Sequence, residues 1–201
     1  MNRAHIADFD IDCLREKEFI LSNVCIGLQK EGTEKLIKRK CDYEGIEAYL
    51  YLKVTVNGID GTIKLNDSIL DTSHTSVDEA WRAAEKRLCE DTVIEPLANY
   101  FNGFLGEDDS TGAENYMFVL TNKSKVRGAS TILNQEAITE LGKKINVSRF
   151  VYLPSSIHES LLIPVDDNAS LEIFKKMVTE VNHTTVNEED RLIDNAYFLN
   201  V

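Results

Sequence analysis

The sequence predicts an α+β fold, mainly antiparallel sheet packed with helices. Three observations predict it. Ile46, Ala48, Leu50, Leu52, Val54 and Val56 alternate along one face and run into Asn57-Gly58, the strongest short hairpin signal. Ser76 stands three residues before Glu79 at the head of an apolar helical stripe, as a capping box requires. The remaining apolar runs are joined by turn residues rather than by long crossovers, which favours antiparallel pairing.

The elements follow in order. Along Phe19–Leu28, the residues Ile20, Val24, Ile26 and Leu28 fit period two and read as a strand, with helical spacing of Leu14, Leu21, Cys25 and Leu28 as the competing pattern. The charged segment Gly32–Lys40 reads as a short helix. Ile46–Val56 and Thr62–Leu65 form the hairpin. The helix opened by Ser76 carries Ala80, Trp81, Ala83, Ala84 and Leu88, and Pro96 should break or kink it near Ile94, leaving a second helix to Phe104. Gly106–Gly112 is polar, acidic and Gly-flanked, the clearest linker in the chain. Beyond it come a strand at Tyr116–Thr121, a helix to Ile145 from Asn134 or Gln135, and a strand at Phe150–Leu153. A turn at Pro154, a strand at Ser160–Val165, a helix at Ala169–Val181 and a strand at Ala196–Leu199 complete the chain. The order is β-β-β-α, then β-α-β-β-α-β. Residues 1–105 form the first portion, 106–112 the linker and 113–201 the second, and the two portions can pack as one domain.

Charge and cysteine usage narrow the classes. The chain has 201 residues and a net charge of −12. Residues 46–110 hold 13 acidic against 5 basic side chains, so the middle third is the acidic part. Such a surface repels phosphate backbones and anionic lipid, which argues against direct nucleic-acid or membrane binding. A protein partner would be a basic one. Cys13, Cys25, Cys41 and Cys89 include no CxxC pair, so zinc is not signalled and reduced thiols in the cytoplasm are expected. The N-terminal residues show no signal-peptide pattern, and no apolar run reaches membrane-spanning length.

Two strings in the second half carry a resemblance. Leu120-Thr121-Asn122-Lys123 is followed by Gly128-Ala129, and Leu153-Pro154-Ser155-Ser156-Ile157-His158-Glu159 is followed by Pro164. With Met177-Val178, Glu180-Val181-Asn182 and Asp194-Asn195-Ala196-Tyr197 towards the end, the chain resembles the uncharacterised bacterial family called domain of unknown function 5688. The resemblance extends weakly back towards Ile20, and longer members extend further at the N-terminus. Asn134 stands where that family usually has proline, and Ile193 where it has a small polar residue. What the resemblance implies is a bacterial or phage origin, with no mechanism attached.

The densest polar cluster is Ser155, Ser156, His158 and Glu159. In an extended segment Ser156 and His158 share a face, so Ser156, His158 and Glu159 are the candidates for nucleophile or acid–base work. No G-x-S-x-G elbow supports them, and turn capping by the serines accounts for the same residues. Asn122, Lys123 and Arg127 end a strand beside Gly128 and are candidate binding residues for an anion. No nucleotide loop or zinc-protease pattern is present, so no cofactor is expected. Scattered His158, His183, Asp190 and Asp194 are the one conceivable metal set, without ligand spacing.

The leading expectation is a non-enzymatic binding or interaction module. One alternative is an enzyme whose pocket gathers Lys123 and His158. Another is an acidic inhibitor that mimics nucleic acid through Asp78, Glu79, Glu85, Glu90, Asp91 and Glu95, continued by Glu107, Asp108 and Asp109.

Overall fold

The computed structural model describes residues 9–101, 117–154 and 156–201. They form two antiparallel sheets with helices. The first sheet holds β1 (Val24–Lys30), β2 (Lys38–Lys40), β3 (Ile46–Val56) and β4 (Ile59–Lys64). β3 is longer than any partner, so its two edges are filled differently. β1 runs along Ile46–Leu52 on one edge. β2 and β4 share the other edge end to end, at Glu47–Tyr49 and Tyr51–Val56. Ile37 and Leu65 join these ladders, because Ile37 N donates to Leu65 O and Leu50 N donates to Ile37 O.

The second sheet contains β5 (Thr92–Pro96), β6 (Phe118–Asn122), β7 (Arg149–Leu153), β8 (Ser160–Pro164) and β9 (Tyr197–Asn200), in the order β5-β6-β8-β7-β9. The helices are α1 (Lys17–Asn23), α2 (Asp67–Thr72), α3 (Val77–Asp91), α4 (Leu97–Phe101), α5 (Gln135–Ile145) and α6 (Leu171–Thr184). A 3-10 turn at Gly128–Leu133 connects β6 to α5 and packs against β1.

Alternation decides the core. Val24, Ile26 and Leu28 of β1 lie opposite Leu52, Leu50 and Ala48 of β3, and all are buried with Ala80, Ala84 and Leu88 of α3. The same cluster continues through Ile132 and Ile138 to Phe150, Tyr152, Leu162 and Leu199 of the second sheet. The other face of that sheet buries Val151 and Leu153 with Val178 of α6 and Ala196. Apolar packing therefore joins residues on both sides of segment 106–112, which itself lies outside the described residues.

The α+β class and the order β6-α5-β7-β8-α6-β9 agree with the sequence reading, within a few residues at element ends. The capping box forms: Glu79 N donates to Ser76 Oγ, and Ser76 N donates to Glu79 Oε2. Asn134 Oδ1 accepts from Ala137 N at 3.2 Å and so caps α5.

Four elements differ, one of them α2, a helix capped by Asn66 in a stretch to which the sequence reading assigns no element. Phe19–Asn23 is the end of α1, and the strand begins only at Val24; the segment satisfies both periodicities, and each takes half. Gly32–Lys40 is not a helix: Lys38–Lys40 pairs with β3, whose open edge needs hydrogen-bond partners. Pro96 does not kink a helix. α3 stops at Asp91, and Thr92-Val93-Ile94-Glu95-Pro96 forms an edge strand, where β-branched residues are favoured and a missing N–H is tolerated. α4 follows to Phe101, and the predicted extension to Phe104 lies outside the described residues, as does Tyr116 of the predicted strand. No helix among the described residues is long and apolar enough to cross a membrane.

Candidate functional site

The face of β3 opposite the core carries Tyr49, Tyr51 and Lys53 at alternate positions. Across from it, the turns after β6 and β7 and the 3-10 turn at Glu188–Asp190 leave a cleft of about 240 Å³. Tyr51, Lys53 and Thr62 line one wall, and Ser124, Arg127 and His158 the other.

The second wall is built by side chains holding backbone. Asn122 Oδ1 accepts from Val126 N at 3.3 Å and from Ser124 Oγ at 3.0 Å, while its Nδ2 donates to Val126 O at 2.9 Å. This closes the turn over residues 122–126. Lys125 and Arg127 take left-handed backbone angles, φ 55° and 53°. Such a conformation costs a non-glycine residue about 1–2 kcal/mol, so other contacts must hold it. Arg127 N donates to His158 Nδ1 at 3.1 Å, and Arg127 Nη1 donates to the Tyr49 hydroxyl at 2.8 Å.

Gly128 lets the two turns touch. A Cβ there would fall 2.3 Å from Thr121 Oγ1 and 2.7 Å from His158 O. Thr121 Oγ1 donates to that same carbonyl at 2.9 Å, and Ala129 N donates to Ile157 O at 3.2 Å.

His158 sits at the junction with both ring nitrogens engaged. Because Nδ1 accepts from Arg127 N, the neutral ring carries its proton on Nε2, which faces Asp190 Oδ1 at 3.1 Å. Ser156 is buried, and its Oγ accepts from His158 N at 2.9 Å. The pair thus makes a serine-capped turn, not an Oγ–imidazole contact. Burial pushes the Tyr49 and Tyr51 hydroxyls above the ordinary tyrosine range, with Arg127 opposing. Both are protonated at neutral pH, and Tyr49 keeps its own O–H to donate.

The Leu120–Lys123 and Leu153–Glu159 strings therefore meet in space. A model of the family of unknown function DUF5688 matches residues 40–200. The chain belongs to that family. No curated protein and no solved structure matches it. The DUF5688 span includes both walls of the cleft and leaves α1 and β1 outside.

Within the DUF5688 span, the residues singled out by sequence divide. Arg127 and His158 meet, and Asn122 shapes the turn between them. Lys123 turns away: its Nζ lies 3.5 Å from Asp91 Oδ1 at the end of α3, and it does not line the cleft. Glu159 is half-buried beside the junction, and Ser155 lies outside the described residues. His183 pairs with Asp194 at 3.2 Å, apart from the His158–Asp190 pair. Among the described residues no group of three or more His, Cys, Asp or Glu side chains could hold a metal ion.

Every carboxylate of the acidic α3 region has a cation beside it. Asp78 and Glu85 face Arg39, Glu79 faces Lys17 and Glu90 faces Lys86. Asp91 faces Lys123 and Glu95 faces Lys125. Glu107, Asp108 and Asp109 lie outside the described residues. Sequence reading missed the tyrosine wall. Its signal was the Tyr49, Tyr51, Lys53 row, which alternates as regularly as the apolar row beside it.

Proposed function

We propose that this chain is a non-enzymatic binding module of bacterial or phage origin, acting in the cytoplasm on a protein partner or small ligand. One observation carries it. His158 has both ring nitrogens committed to Arg127 N and Asp190, so its lone pair is not free to take a proton from a nucleophile. The arrangement of Ser156 supports the same reading, since its Oγ is buried and accepts from backbone. These groups do structural work at the back of a cleft whose walls display Lys53, Arg127 and tyrosine.

The net charge of −12 favours a basic protein partner over nucleic acid or anionic membrane. The purified protein should show no turnover with generic esterase, phosphatase and nuclease substrates. Turnover that disappears in His158→Ala while the fold survives would overturn the proposal.

A further inference from the structure

We infer that the cleft between Lys53 and Arg127 is a binding site for a small oxyanion, the carboxylate or phosphate group of a small molecule. The inference rests on the binding-module reading and gives it a ligand class. Lys53 and Arg127 are both half-buried, and neither has a carboxylate partner among the described residues. By contrast, Lys86 on α3 faces Glu90, and Arg39 and Lys123 beside that helix face Glu85 and Asp91. A half-buried cation loses part of its hydration, so one left unpaired at a cleft calls for an anion.

The donors also point to an oxyanion. A guanidinium presents several N–H groups in a planar fork that matches carboxylate and phosphate oxygens. Among the described residues the Tyr49 oxygen is the one acceptor these groups find, at Nη1. That bond and the left-handed backbone at Arg127 hold the fork in place before a ligand arrives. Lys53 supplies a second positive charge from the opposite wall.

The acids of the lining are already engaged. Asp60 accepts from Thr55 Oγ1 at 2.7 Å, and Asp190 faces His158. They limit the charge the cleft accepts, so a singly charged anion fits better than a polyanion. At about 240 Å³ the space suits a small molecule, since drug-sized ligands occupy sites of roughly 300–1,000 Å³.

The test is a titration of the full chain at low ionic strength with sodium acetate and, separately, inorganic phosphate, with sodium chloride as control, followed by amide chemical shifts. Saturable shifts are expected at Lys53, Thr62 and Ser124–Arg127 with acetate, phosphate or both, and the anion that acts identifies the carboxylate or phosphate source. Lys53→Met should weaken binding about tenfold, the value of a charged hydrogen bond. Lys53→Arg should restore it, and Lys86→Met on α3 should leave it unchanged. Shifts no larger than with chloride, or saturable shifts indifferent to Lys53→Met, would overturn the inference. In either case the binding-module reading stands if the substrate screen is silent. If a bound anion is chemically converted, the cleft stands and the non-enzymatic reading falls.

Discussion

The Tyr49 hydroxyl accepts from Arg127 Nη1 at 2.8 Å, tying the middle of β3 to the turn that closes the cleft. Gly27 on the neighbouring strand makes room for that ring, because a Cβ there would lie 2.7 Å from Tyr49 Cζ. Tyr49→Phe keeps the ring and loses the bond, so a loss of about 1 kcal/mol is expected. Gly27→Ala should cost more, about 1–3 kcal/mol, by displacing the ring. Urea unfolding of the two variants checks the order.

Gly128→Ala should be poorly tolerated. The added methyl would meet Thr121 Oγ1, Asn122 N and His158 O within 2.3–2.7 Å, and these atoms are backbone or hydrogen-bonded. Overpacking of this kind costs about 1–3 kcal/mol, and a rigid backbone neighbour favours the upper end. Thermal unfolding would measure it, and a variant as stable as the parent would show that the two turns are not in contact.

His158→Ala removes a partner from Arg127 N and from Asp190 together. The side chain is 30% exposed, so water compensates in part. A loss of about 1–2 kcal/mol is expected, the lower range for orphaned buried polar groups. Hydrogen exchange at the Arg127 amide should speed up in the variant, a signature that a catalytic role alone would not produce.

Glu79 supplies an acid-sensitive contact. Its bond from Lys17, then those from Ser76, lower its carboxyl from 4.5 to about 2. A folded pKa below the unfolded one means stability that is fully present above about pH 4.5 and lost as pH falls towards 2. Glu79→Gln should therefore flatten the acid limb of the stability profile between those values and leave the alkaline limb unchanged. Ser76→Ala, which removes the cap, should cost about 1 kcal/mol at neutral pH.

The cysteines should react in a definite order. Cys89 is exposed, whereas Cys25 and Cys41 are half-buried. Burial raises the Cys25 thiol and pushes Cys41 up to about 11. The thiolate is the reactive form. Alkylation at pH 8 followed by peptide mass analysis should label Cys89 first and Cys41 slowly, with the Cys41 rate still climbing as pH approaches 11.

Period and caps made much of this fold legible. The β3–β4 hairpin turn and the Ser76–Glu79 box rest on contacts within a few residues, which local sequence encodes, and the succession of elements from β6 to β9 shows in their local periodicity and turn residues. The paired motifs around Thr121 and His158 were visible as strings too. What sequence could not assign was their use. Whether His158 serves as a base or as a brace depends on Arg127 N and Asp190, 31 and 32 residues away. Whether Lys123 joins His158 or leaves for Asp91 depends on how α3 ends against β6. Lys38–Lys40 and Thr92–Pro96 became strands because open sheet edges needed partners. Side-chain alternation told the two faces of β3 apart, but only packing decided that the tyrosine face would meet Arg127 across a cleft. Hydrogen bonds and charge pairs act over a few ångströms, and tertiary structure alone brings residues 78 positions apart within that reach.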